Sequence, residues 1–288
     1  MLKQKTVAVT GSSGKLGRAV VAELLEAGWK VHGFDIVPPK ERTASFTRID
    51  LGDLGQVVEA FTSIDELHDG VDAIVHLAAI PGATMAANTA TFVNNITASY
   101  NVFTAAKIAD VRNIVWASSE TLLGYPFIDT RPPYVPMDEE YAAQGNVAYS
   151  LEKVLEEELA RQLTRRDDQL KMIGLRFSYI QGPEDYPNFL EQGKNPADRK
   201  WNMWGYIDVR DASRAVLLAL ELDKTGFEAI NIAAADTIMQ QPTRDLMQEY
   251  FPEVPFRESI EGTSGLTDIR KASRVLGWEP RHSWRDED

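Results

Sequence analysis

Strand-like and helix-like runs alternate through the first two thirds of this 288-residue chain, and that alternation restricts the fold more than any single residue does. TVAVTG (6–11), KVHGFD (30–35), VDAIVHLAA (71–79), NIVWASS (113–119) and KMIGLRFS (171–178) read as buried strands. KLGRAVVAELLEAG (15–28), LGQVVEAFT (54–62) and VAYSLEKVLEEELARQLTRR (147–166) read as helices. So does a long segment over 89–109, where Val93, Ile96, Tyr100, Phe103 and Ala106 recur at helical spacing. Neighbouring parallel strands need a crossover between them, and a helix is the usual one. The pattern therefore predicts an α/β fold with a doubly wound parallel sheet.

From residue 179 the texture changes. YIQGPEDYPNFLEQGKNPADRKW is rich in Pro, Gly and Asn and reads as loops. IDVRDASRAVLLALE (207–221) resumes as a turn and helix, AINIAAA (229–235) as one more strand, and 242–250 and 267–276 as helical pieces. The final HSWRDED reads as a frayed tail.

Composition removes several classes of function. Asp and Glu number 43 against 30 Lys and Arg, a net charge of −13, which argues against a nucleic-acid backbone as partner. Cysteine is absent, so disulfides, thiolate metal sites and thiol nucleophiles are excluded. No apolar run is long enough to span a membrane, the start MLKQKTVAVTG carries no secretory leader, and the expected compartment is the cytoplasm. His32, His68, His76 and His282 lack metal-ligand spacing, so no metal site is expected.

Three motifs carry chemistry. TGSSGKLGRAV follows the first strand and opens the first helix. Gly11 permits the tight turn, Gly14 lets the backbone approach a pyrophosphate, and Gly17 lets helix and sheet pack closely. Asp35 ends the second strand, where a carboxylate accepts from ribose hydroxyls and repels a 2′-phosphate; this favours NAD, although Arg42 nearby leaves room for NADP. Asp50 and Leu51 stand where they would border an adenine. Ser118 and Ser119 end the fourth strand, either to hydrogen-bond a substrate oxygen or to cap a turn. In YSLEK, Tyr149 and Lys153 share a helix face, either as surface residues or as a phenol activated by an ammonium. The run Glu156-Glu157-Glu158 reads as a solvated helix face.

TGSSGKLG, Asp35, Asp50-Leu51, HLAA (76–79), ASSETLLG (117–124), YSLEK, LRFSYIQGP (175–183), YIDVRDASRA (206–215) and TDIRKASRVLGWEP (267–280) occur in the order seen in extended short-chain dehydrogenase/reductases. The chain resembles the sugar epimerase/dehydratase branch of that family over nearly its whole length. The resemblance implies a Rossmann-type NAD-binding domain over 1–178, completed by 206–235, and a small substrate-binding lobe from 179–205 and 236–288. It implies Ser119, Tyr149 and Lys153 as the catalytic group. It places NAD on Gly11, Ser13, Gly14, Leu16, Gly17, Asp35, Asp50, Leu51, Leu77, Ala78, Ala79, Tyr149 and Lys153.

Leu123 stands where many nucleotide-sugar epimerases carry Tyr, and the stretch between Gly182 and Tyr206 is short for holding a nucleotide. Within the branch, the compact form is similar to uronate dehydrogenases. Arg199 then becomes a candidate for a substrate carboxylate, with Glu120 and Tyr179 beside it. Pro81, Glu120 and Tyr179 depart from the residues those enzymes use, which brings a neutral sugar or polyol into consideration. The expectation is an NAD-dependent dehydrogenase of a small sugar or sugar acid, with an epimerase or a non-catalytic NAD sensor as alternatives. A homodimer is expected through the helices at 89–109 and 147–166, with Phe92, Val102 and Leu155 as apolar residues that a monomer would expose.

Overall fold

The computed structural model describes residues 4–82 and 85–286; the first three and last two residues of the expected domains lie outside this range. In chain order the elements begin with β1 (Thr6–Thr10), α1 (Lys15–Glu26), β2 (Lys30–Asp35), β3 (Ser45–Arg48), α2 (Leu54–Thr62), β4 (Ala73–His76) and α3 (Asn88–Ile108). They continue with β5 (Asn113–Ser119), α4 (Ala148–Thr164), β6 (Lys171–Phe177), β7 (Ile180–Gln181), α5 (Pro187–Gln192), β8 (Ile207–Asp208) and α6 (Val209–Glu221). Then come β9 (Gly226–Ile232), α7 (Thr243–Tyr250) and α8 (Arg270–Leu276). Seven strands form one parallel sheet in the order β3-β2-β1-β4-β5-β6-β9, and β7 pairs with β8 apart from it. This is the expected doubly wound, Rossmann-type sheet.

The strands are apolar on both faces because helices cover both. Val7 and Val9 of β1 point to a core shared with α1, α6 and α8, while Ala8 between them points to a core shared with α2, α3 and α4. Helix α1 buries Leu16, Val20, Val21 and Leu24 against the first of these cores, at about 2 kcal/mol for each fully buried Val or Leu. The order of the sheet reverses between β1 and β4, so a crevice opens at their C-terminal ends, where ligands sit in folds of this kind.

A third apolar core lies beyond that end. It joins Tyr125, Phe127 and Met137 to Phe189, Trp204 and Tyr206 and to Ile238, Leu246 and Leu266. The loop-like stretch after 179 thus folds as short pieces, α5 among them, around buried aromatic rings.

Three expectations need correction. The tail is not frayed up to residue 286: His282 donates from its backbone N to Asp211 Oδ2 (2.8 Å), Trp284 donates from Nε1 to Thr237 O (2.9 Å), and the Trp284 ring is buried. Val102 of α3 is fully buried and exposes nothing to a partner, whereas Leu155 is 41% exposed and Phe92 is half-buried. Of the three consecutive glutamates, only Glu158 is solvated; Glu156 and Glu157 are buried inside the fold.

Candidate active site

The glycine turn is shaped by contacts that only glycine permits. Gly11 has φ +69°, and a Cβ there would come within 2.6 Å of Ala78 N. A Cβ on Gly17 would come within 2.1 Å of Gly11 O. These approaches seat α1 on β1 and bring Leu77, Ala78 and Ala79, just after β4, beside the turn; Leu77 N donates to Thr10 O (3.1 Å). No side chain caps the start of α1, so its first N–H groups face the crevice, an arrangement that suits a pyrophosphate. Beside Gly14, only Gly11 O would lie near an added Cβ, at 3.3 Å.

Asp35 reaches into the same turn. Its Oδ2 accepts from Ser13 N (3.0 Å) and its Oδ1 from Val37 N (3.0 Å), so the carboxylate is fixed where β2 ends. Arg42 is exposed, with its guanidinium over the Phe46 ring. Asp50 follows β3, a short and half-exposed edge strand, and accepts from Gly52 N (2.8 Å); Leu51 O accepts from Asn101 Nδ2 (2.8 Å). Gly11, Ser13, Asp35 and Ala78 are thus joined at one turn, and a glycine turn beside such a carboxylate fits a dinucleotide.

Ser119, at the end of β5, and Tyr149 and Lys153, in the first turns of α4, are brought together. Ser119 acts on Tyr149 closely enough to lower its pKa, and Lys153 Nζ lies 5.8 Å from the Tyr149 ring centre. Ser119 also serves as a cap, since its Oγ accepts from Thr121 N (3.2 Å). Desolvation pushes the Tyr149 pKa up and Lys153 pulls it down; Glu152 opposes Lys153, and the Ser119 contact assists it. Burial alone would lower the Lys153 pKa, but Glu156, Glu152 and Tyr149 outweigh it and hold the ammonium charged.

Tyr149, Glu152, Lys153 and Glu156 follow the spacing of a single helix face, and the structure turns that face inward. Lys153 Nζ donates to Glu156 Oε2 (2.8 Å) and lies 3.6 Å from Glu152 Oε1. Asn95 Nδ2 donates to Glu152 Oε1 (3.0 Å), and Ser99 Oγ donates to Glu156 Oε1. Glu157 turns the other way and takes Arg176 in a two-point contact (2.9 and 2.7 Å), together with the Ser118 hydroxyl (2.7 Å). Sequence reasoning missed Glu152 and Glu156, although their spacing from Tyr149 was available.

On the far side of Ser119 stands Glu120, 5% exposed. Its carboxylate accepts from Ser178 Oγ and from Asn202 Nδ2 (3.2 Å). Burial raises its pKa to about 7, against the opposing pull of Ser178, Asn202 and Arg199. Arg199 does not pair with Glu120 directly; Asn202 stands between them. Arg199 donates to Gln192 Oε1 (2.8 Å), Asn202 Oδ1 (3.3 Å) and Gly205 O (3.3 Å), and its guanidinium lies 4.5 Å from the centre of the half-exposed Tyr179 ring. The turn that closes this arrangement holds Met203 and Trp204 at φ +53° and +59°, a left-handed conformation that costs about 1 kcal/mol for each non-glycine residue. Ser178 and Asn202 were also missed, being unremarkable until the fold sets them against Glu120. Among the described residues no cluster of His, Asp and Glu could hold a metal ion.

A parallel sheet with a glycine turn at its switch point and a Ser, Tyr and Lys group at the neighbouring strand end defines a nicotinamide-dependent enzyme. Residues 7–233 match the NAD dependent epimerase/dehydratase family, and the chain belongs to that family of extended short-chain dehydrogenase/reductases, with NAD as its cofactor. It is 24% identical to a UDP-glucose 4-epimerase of Cyamopsis tetragonoloba, over 98% of this chain and 92% of that one. It is 29% identical to an L-arabinose 1-dehydrogenase (NAD(P)(+)) of Haloferax volcanii, over 69% of this chain and 76% of the other. A mutated uronate dehydrogenase of known structure superposes with a TM-score of 0.68 at 22% identity, covering 98% of this chain and 85% of that one.

Proposed function

We propose that this protein is a dehydrogenase that oxidises a carbinol carbon of a small sugar or sugar acid. The observation that carries the reading is the meeting of Ser119, Tyr149 and Lys153 beyond the end of β5, with the buried Glu120 next to Ser119 and joined through Asn202 to Arg199. NAD supplies the hydride acceptor. Tyr149 takes the hydroxyl proton at its phenol oxygen, Ser119 hydrogen-bonds the reacting oxygen, and Lys153 favours the phenolate and holds the nicotinamide ribose. Gly11, Ser13, Gly14, Leu16 and Gly17 cradle the pyrophosphate at the start of α1. Asp35 takes the adenosine ribose, and Asp50, Leu51, Leu77, Ala78 and Ala79 border the adenine and the crevice floor.

In this reading the pieces around the third core form the substrate lobe. A neutral sugar suits it better than a uronate. Arg199 already spends donors on Gln192, Asn202 and Gly205, and Glu120 beside Ser119 can exchange hydrogen bonds with sugar hydroxyls. The similarity to an L-arabinose 1-dehydrogenase supports the same choice. The working form is a cytoplasmic homodimer built on α3 and α4, where Val93 and Tyr100 on one helix and Leu151 and Leu155 on the other are exposed.

A second reading, epimerisation with a retained cofactor, is favoured by the similarity to a UDP-glucose 4-epimerase. A screen of aldoses, uronates and polyols with NAD separates the two. Stoichiometric NADH release on one of these supports the dehydrogenase; interconversion of sugars without net NADH supports the epimerase.

A further inference from the structure

We propose that Glu152 and Glu156 form a carboxyl pair that holds one proton beneath Lys153 and thereby tunes the proton affinity of Tyr149. The proposal rests on the reading of Tyr149 as the base, and it adds two positioning residues that act through Lys153.

Geometry carries it. Both carboxyl groups are buried, with side chains at most 1% exposed, and both approach the one ammonium of Lys153. They converge on it at 2.8 Å (Glu156 Oε2) and 3.6 Å (Glu152 Oε1), and a hydrogen bond between the two carboxyl groups would require a proton on one of them. Glu152 Oε2 is buried and has no partner in the ionised form; a shared proton would give it one.

Charge balance points the same way. The groups facing the pair are Tyr149 and Lys153 from α4, Asn95 and Ser99 from α3, and His76 from β4, which reaches it through Ser99 (Nε2–Oγ 3.1 Å). His76 is itself held by Thr10 of β1 (2.7 Å) and is neutral, because burial drives its pKa down to about 3. Arg176 of β6 is committed to Glu157. Two ionised glutamates would leave this dry site with one uncompensated negative charge, and one bound proton removes it. Burial accordingly raises the Glu152 pKa to about 8, with Lys153 opposing and Glu156 reinforcing the shift.

While the pair keeps its proton, the site is neutral and Lys153 can favour the Tyr149 phenolate. Loss of that proton places a second negative charge near Tyr149 and makes its ionisation harder. The two ionisations therefore oppose each other, and the rise of kcat/KM for oxidation with pH spreads over a wider range than one ionisation would give.

Glu152→Gln tests this by replacing the protonated member with a permanently neutral amide. The kcat/KM profile of the variant should narrow to a single ionisation and move to lower pH by at least about half a unit. Glu156→Gln should show the same displacement, since either amide leaves one carboxylate for Lys153, and it decides the matter if the first variant fails to fold. Infrared difference spectra of the cofactor-free proteins at neutral pH give an independent readout. The wild type should carry a protonated-carboxyl carbonyl band that each variant lacks, while Glu120 contributes equally to all three and cancels. Superimposable pH profiles, a uniform fall in kcat with no displacement, or no difference in the carbonyl band would overturn the proposal. Failure of the base assignment is distinguishable, because it would appear as retained turnover in Tyr149→Phe.

Discussion

Asp35 and Ser13 are joined by a 3.0 Å hydrogen bond from the Ser13 backbone N–H, which locks the end of β2 to the glycine turn. The carboxylate proposed to select the cofactor thus also helps to hold the glycine turn. Asp35→Ala should weaken NAD binding and narrow the preference over NADP, since the 2′-phosphate is no longer repelled. Comparison of kcat/KM for the two cofactors checks this. Equal use of NADP by the native protein would defeat the assignment.

Glu120 gives a pH signature in stability. Its pKa rises from 4.5 to about 7 on folding, so folding favours the protonated form. That contribution is fully present below pH 4.5 and is lost as pH rises through 7, for a total on the order of 3 kcal/mol. Glu120→Gln should therefore gain stability relative to the wild type as pH is raised across this window. Denaturant titrations at several pH values measure it, and parallel curves would contradict it.

Arg199 separates the two substrate classes. For a neutral sugar, Arg199→Ala should act mainly by loosening the turn around Asn202 and Glu120, with a modest change in KM. For a uronate it should cost about 2 kcal/mol or more, expressed chiefly in KM. Steady-state kinetics on both classes decide between them.

The exposed residues of α3 and α4 give the assembly its test. Light scattering at micromolar concentration should report a dimer, and Tyr100→Asp combined with Leu155→Asp should yield a folded monomer. A monomeric wild-type protein would refute the interface.

Much of this was legible because it is local. The turn with Gly11, Gly14 and Gly17, the strand ending at Asp35 and the face shared by Tyr149 and Lys153 each depend on neighbours in sequence. Strand β3 was not marked because Ser45–Arg48 is a short edge with half-exposed side chains, so alternation is faint there. The burial of Glu156 and Glu157 was hidden for another reason. A run of carboxylates reads as solvated until Ser99 and Arg176, on other elements, are set against it and close Lys153 in with it. The tail was misjudged likewise, because a short polar segment is held by Asp211, Tyr206 and Thr237 from far along the chain. Val102 shows the limit of a periodicity argument: α3 packs on α2 as well as α4, so its apolar stripe is wide, and exposure cannot be assigned from spacing alone.

In the proposed function, Tyr149 removes a proton from a sugar carbinol as NADH is formed and released. NADH absorbance, followed with the best substrate of the screen for wild type and Tyr149→Phe, tests it most directly. The expected result is stoichiometric NADH from the wild type and a loss of at least about 10²-fold in kcat for the variant, with NAD binding retained. Near-native turnover by Tyr149→Phe, or a wild type that interconverts sugars without releasing NADH, would contradict it.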